Sequence, residues 1–187
     1  MAFLDRRALE RSVRILVAGL VWLVLPAARA QTASREYQVK AVFLFNFAQF
    51  VDWPAATFPT RDAPLVIGVL GDDPFGPLLE EAVRDEKAGG HPLQVRHYSS
   101  AEQADCHILF ISRSETNRVE PLLALLNGKP VLTVSDIESA ARRGVMIRFI
   151  NESNRVHLRI NLDAAKRAGL TISSKLLRSA EIVGDKP

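Results

Sequence analysis

Hydrophobic positions along residues 31–187 fall into short runs with two different periods. In 36–52, Val39, Val42, Phe43, Asn46, Phe47 and Phe50 recur at helical spacing, and Ala41, Leu44, Phe45 and Ala48 make much of the remaining surface apolar. A helix of that kind is largely buried. Trp53-Pro54 stops it, because the residue before proline avoids the helical region. Leu65–Leu70 is an unbroken apolar run ending at Gly71. Asp72 or Asp73 can cap a following helix, with Pro74 at its first position. That helix is predicted to reach about Glu86 and to end at Gly89-Gly90.

Short strands are predicted at Leu93–His97, His107–Ile111 and Pro130–Val134. Between the last two, Ser112-x-x-Glu115 has the form of a capping box opening a helix to Leu126, closed by Asn127-Gly128. Ser135-x-x-Glu138 opens another short helix. Continuous apolar strands alternating with helices imply a parallel sheet covered on both faces. The pattern then changes. Val145–Ile150 and Arg155–Ile160 alternate around Asn151-Glu152-Ser153-Asn154, which predicts an antiparallel hairpin with a four-residue loop. Two short helices follow, at about 163–169 and 173–181. The sum is a single three-layer α/β domain, a mostly parallel sheet flanked by helices, with a C-terminal antiparallel hairpin.

Residues 1–30 read differently. Arg6, Arg7, Arg11 and Arg14 precede an uncharged apolar run, Ile15–Leu25, which Pro26 breaks before Ala28-Arg29-Ala30. A basic start, a short apolar run and an A-x-A site describe a secretory signal peptide with cleavage after Ala30, the alternative being an uncleaved amino-terminal anchor. The run is too short for a membrane span, which needs roughly 20 residues. Charge follows from this division. The chain carries 24 basic and 21 acidic residues, and five arginines and two of the acids lie in 1–30. The domain from Gln31 onward is therefore neutral, which argues against nucleic acid as a partner.

Chemistry-bearing motifs are few. The Gly71-Asp72-Asp73-Pro74 turn sits at the carboxyl end of a strand, where α/β sheets place ligands. Its two carboxylates repel phosphate, leaving Asp72 and Asp73 as candidates for a cation or amine, beside their plainer role in a cap and turn. Asn46 lies within the apolar stripe and is expected to satisfy core hydrogen bonds. Cys106, the single cysteine, cannot form an intramolecular disulfide or a Cys-based zinc site. Next to it, His107 points to the opposite strand face. His91 and His97 flank a strand. No nucleophile elbow or metal-ligand spacing is present, so no catalytic residue, metal or cofactor is assigned.

The hairpin carries more. Val156, Leu158 and Ile160 share one face, and Arg155, His157 and Arg159 the other. With 151–154 as the loop, Ile150 opposes Arg155 and Arg148 opposes His157, so Arg148 joins the polar side. Arg148, Arg155, His157 and Arg159 thus form a candidate partner-binding stripe, the alternative being the solvated face of an edge hairpin.

Several stretches add up to a resemblance. They are Tyr37-x-x-Lys40-Ala41-x-Phe43-Leu44-x-Asn46-Phe47 with Trp53-Pro54, Val69-Leu70-Gly71-Asp72-Asp73-Pro74-Phe75-Gly76, and Cys106-His107-Ile108-Leu109-Phe110-Ile111-Ser112. Val131-Leu132-Thr133-Val134, Met146-Ile147-x-Phe149, Arg155-Val156, Ile160-Asn161, Ala168-Gly169-Leu170 and Ile172-Ser173-Ser174-x-Leu176-Leu177 follow in order. This series resembles the YfiR family of exported bacterial proteins. The resemblance implies a non-enzymatic periplasmic repressor that binds the periplasmic region of an inner-membrane diguanylate cyclase, and so acts on cyclic-di-GMP signalling and biofilm behaviour. A sensor kinase in the membrane, or a second copy of the chain, are other partners it admits. The alternative function is a periplasmic small-molecule sensor using the crevice by Gly71–Pro74. Two departures stand out. The family's characterised redox behaviour involves paired cysteines; Cys106 matches one, while the region of its partner reads Val66-Ile67-Gly68-Val69. Arg142-Arg143-Gly144 replaces a common glycine pair.

Overall fold

A computed structural model describes residues 35–153 and 155–184. The expected signal peptide, 1–30, lies outside the described residues. Helix α1 covers 35–50 and runs into a two-residue strand, β1 (Val51–Asp52). Next come β2 (Leu65–Leu70), α2 (Pro77–Val83), β3 (Lys87–Ala88), β4 (His91–Tyr98), β5 (Ile108–Ile111), α3 (Val119–Leu125) and β6 (Leu132–Ser135). The hairpin β7 (Ile147–Glu152) and β8 (Arg155–Asn161) follows, then α4 (Leu162–Arg167), β9 (Thr171–Ile172), α5 (Ser174–Leu177) and β10 (Ala180–Val183). Eight strands form one sheet in the order β10-β8-β7-β6-β5-β2-β4-β3; β1 and β9 make a separate antiparallel pair.

The centre of the sheet, β4-β2-β5-β6-β7, is parallel. Every residue of β2, β5 and β6 is buried, which is why these segments read as unbroken apolar runs. One face packs Leu44 and Phe47 of α1 and Leu79 of α2 against Phe110 and Phe149. The other packs Val119 and Leu122 of α3 against Val66, Leu109 and Ile111. The domain is thus a three-layer α/β unit with a mostly parallel sheet.

The differences from expectation have local causes. The buried stripe of α1 is Lys40, Ala41, Leu44, Phe47 and Ala48, not the one centred on Val39 and Val42, which are 44% and 49% exposed. Apolar residues lie all around this helix, so its period does not specify which side faces the core. Asn46 is half-buried rather than enclosed. Helix α2 starts late, at Pro77, because Asp73 Oδ1 accepts the Phe75 N–H at 2.8 Å and holds a turn there. It also ends early, and Gly89-Gly90 instead turns the chain between β3 and β4, with φ of +59° and +91°. The Ser112 capping box is not made: 113–118 is a 3-10 turn without a side-chain cap, and Glu115 pairs with Arg118 at 2.7 Å. A 3-10 turn at Ala140–Arg143 replaces the short helix after Ser135, whose hydroxyl donates to the Ile111 carbonyl at 2.8 Å. Residues 180–183 form β10 parallel to β8, although 180 and 181 are expected from the sequence to close the last helix.

Candidate functional site

The hairpin is tighter than its sequence suggests. Glu152 pairs with Arg155, so Asn151 and Glu152 belong to β7 and Ser153 takes a left-handed φ of +50° in the turn. Arg148 therefore opposes Arg159, and Ile150 opposes His157. The shift is two residues, so the faces are unchanged: Arg148, Arg155, His157 and Arg159 still share one side. Their environments differ, however. The hairpin is not at the edge, because β10 covers β8, and Arg159 donates to Glu181 Oε2 of β10 at 3.0 and 2.7 Å. Arg148 is half-buried. Arg155 and His157 are exposed.

The Gly71–Pro74 turn stands where the strand order reverses, between the carboxyl ends of β2 and β5. Ser114 and Glu115 approach Gly71 closely here. Ser114 Oγ accepts the Asp72 N–H at 3.0 Å, and a Cβ on Gly71 would meet that oxygen at 2.3 Å and Glu115 at 2.9 Å. Asp73 is occupied by the Phe75 N–H, and its other oxygen lies 3.3 Å from His97 Nε2. Asp72 is exposed. Glu80 adds a second carboxylate 3.8 Å from the same imidazole nitrogen.

A larger opening lies one strand further along. Strand β6 meets β7 only through Val134↔Ile147 and Ser135↔Arg148, and β7 runs on to Glu152. The overhang leaves a notch of about 890 Å³ between the amino end of α1, residues 136–142 and β7. On its floor Lys40, 1% exposed, places Nζ 2.6 Å from Asp136 Oδ2 and 2.5 Å from Glu36 Oε1. The Tyr37 hydroxyl donates to the same Asp136 oxygen at 2.9 Å, and Arg113 Nε lies 3.2 Å from Oδ1. Lys40 Nζ also stands 4.3 Å from the centre of the Tyr37 ring. Burial, and then the Asp136 charge, push the Tyr37 hydroxyl well above its ordinary pKa. For Arg113, burial works against the charge, but Asp136 more than offsets it and the pKa is raised. Charged groups this deep require partners on every side. In the sequence Lys40 stands out only as part of the family pattern; its other signal is a lysine inside an apolar helix, with an aspartate, Asp136, directly after a buried strand.

The histidines do other work. His107 Nδ1 accepts the Val66 N–H at 3.0 Å, and Phe58 stacks between His107 and His91, with ring centres 4.6 and 3.8 Å away. Burial lowers the His107 pKa. Cys106 is buried and free, on the face away from His107, and burial followed by the nearby Asp105 pushes its thiol up to about 12. Among the described residues, no group of three or more His, Cys, Asp or Glu is placed to hold a metal ion, and no helix is long and apolar enough to cross a membrane.

A model of the YfiR/HmsC-like family matches residues 37–181, from Tyr37 on the cleft floor to Glu181 on β10. The chain belongs to the YfiR/HmsC-like family. That family is one of regulatory, non-catalytic proteins. A crystal structure of a conserved domain protein from Vibrio cholerae O1 biovar eltor is similar, with a TM-score of 0.48 and 14% identity over 65% of this chain and 55% of that one. The chain spans about half the length of that solved relative. No curated protein matches it.

Proposed function

We propose that this YfiR/HmsC-like protein is an exported, non-enzymatic regulator that binds the periplasmic region of an inner-membrane diguanylate cyclase and holds it inactive. The observation that carries the reading is the family match, which runs from α1 through the hairpin into β10. Arg155 and His157 support it, because they are exposed on a strand whose other face is anchored in the core by Leu158 and Ile160. Arg159 serves the interface less directly, since Glu181 already holds it.

The test is a pull-down of the protein with tagged periplasmic regions of membrane cyclases and sensor kinases from the same cell, repeated with Arg155→Glu. The substitution sets a like charge opposite Glu152, costing about 0.2–1 kcal/mol of stability. Binding to an acidic partner surface should weaken far more, by several kcal/mol, and cellular cyclic-di-GMP should rise. Undiminished binding and repression by a folded Arg155→Glu protein would refute the role given to this strand. Mass spectrometry of the periplasmic fraction should find a chain beginning at Gln31, and a full-length chain in the membrane fraction would overturn export by cleavage.

A further inference from the structure

The notch beside β7 holds a cation that its own carboxylates do not satisfy. Asp136 is engaged by Lys40, Tyr37 and Arg113, and Glu36 by Lys40 and by the Asn151 side-chain amide at 2.7 Å. Glu138 and Glu152 are exposed and form no ion pair with a described residue. Arg148 lines the notch, half-buried, and its Nε is shut off from solvent with no hydrogen-bond partner. The guanidinium makes no hydrogen bond or ion pair to any described residue. Burial and the charge of Arg159 across the hairpin hold its pKa below the ordinary guanidinium value; Arg142 adds to that shift, and the carboxylates of Glu138 and Glu152 oppose it without reversing it. Arg142, exposed on the same wall, is also unpaired among the described residues. A buried polar atom without a partner is rare in a native fold, and two unpaired like charges on one wall are unfavourable together.

We propose that this notch binds a small oxyanion, a carboxylate or phosphate group, through Arg148 and Arg142. A guanidinium presents parallel N–H donors that match either group, and the terminal N–H groups of Arg148, which bond no described residue, are the ones that would meet it. The volume of about 890 Å³ is within the range of roughly 300–1,000 Å³ typical of small-molecule sites. The free carboxylates of Glu138 and Glu152 act against a polyanion, so the fit is to one oxyanion group and not to a polyphosphate. Such a ligand would also relieve the repulsion among Arg148, Arg159 and Arg142.

The site is tested on the purified protein alone, so its outcome is independent of the membrane partner. Inorganic phosphate and succinate are titrated separately by calorimetry and by thermal melts, against chloride at matched ionic strength. Saturable binding and a raised melting temperature are expected with at least one oxyanion and not with chloride; the preferred one distinguishes a phosphate from a carboxylate ligand. Arg148→Gln should weaken binding about tenfold or more, the worth of a charge-assisted hydrogen bond. Arg142→Gln, at an exposed position, should weaken it as well and keeps the test alive if Arg148→Gln does not fold. Arg61→Gln, outside the notch, should bind as the parent does. Failure of both oxyanions to bind, or undiminished binding in the Arg142 and Arg148 variants, would overturn the proposal.

Discussion

Gly68 lies in the middle of a fully buried strand, and a Cβ built there would stand 3.1 Å from Cys106 Sγ. That is about the separation, roughly 3 Å, that a disulfide sets between one Cβ and the far sulfur. One distance that a β2–β5 crosslink requires is thus met, and the second thiol is absent. Gly68→Cys should therefore lose both free thiols on mild oxidation, although Tyr98 and Leu109, at 2.7 and 3.0 Å from the new Cβ, must give way. Thiol titration after unfolding checks this, and two persistent free thiols would refute it. In the parent, the raised pKa and burial of Cys106 predict slow alkylation until the protein is unfolded. Lys40 is the reverse case, a residue whose partners are complete. Lys40→Met removes the cation between Glu36 and Asp136 and should cost about 3–5 kcal/mol in urea denaturation, with part of the loss recovered when Asp136→Asn is added. A single-variant cost under about 1 kcal/mol would place the cluster with surface ion pairs instead.

Strand β8 shows what an element contributes beyond its residues. Its inward side chains Leu158 and Ile160 are almost wholly buried, and its outward ones alternate between exposed His157 and Arg159 paired with Glu181. Leu158→Ala should lower stability by roughly 2–5 kcal/mol. Glu181→Gln, which touches only the ion pair with Arg159, should change it by about 1 kcal/mol or less. Equal losses from the two would contradict this division, and chemical denaturation measures both. The same contrast explains what was legible in the sequence. Strands β2, β5, β6, β7 and β8 were readable because burial on two faces, or strict alternation, leaves a distinct pattern. Short β3 and β9 have no period to read, and β10 alternates too briefly, through Ala180, Glu181, Ile182 and Val183, to differ from a helix end. The face of the hairpin carrying Arg148, Arg155, His157 and Arg159 was legible, since a two-residue register shift preserves faces. The notch was not, because it arises from β7 outrunning β6, a difference in strand length that only pairing reveals.

At the scale of the whole molecule, pH enters through a buried imidazole. His107 accepts the Val66 N–H through Nδ1, so protonation there breaks a hydrogen bond to β2. Burial lowers its pKa in the folded chain, while Asp105 opposes that shift and His91 and Arg96 reinforce it. Below the ordinary value of 6.5 the unfolded chain binds the proton more readily than the folded one, so stability falls as pH drops from there toward the folded-state value. His107→Gln, which keeps an acceptor and cannot titrate, should flatten that decline in denaturation curves taken from about pH 7.5 to about pH 5. An unchanged slope would assign it to other groups. The small β1–β9 ladder has a consequence of a different kind. Val51 pairs with Ile172, and Ser173 donates its N–H to the Phe50 carbonyl at 2.9 Å, so the end of α1 is tied to a segment made after the entire central sheet. Contacts between such distant parts of a chain raise contact order and slow folding. A chain emerging amino end first must hold α1, with its apolar residues on all sides, unanchored at this end until 171–173 arrive, and folding of the sheet is thereby coupled to the completion of the crossover that follows the hairpin.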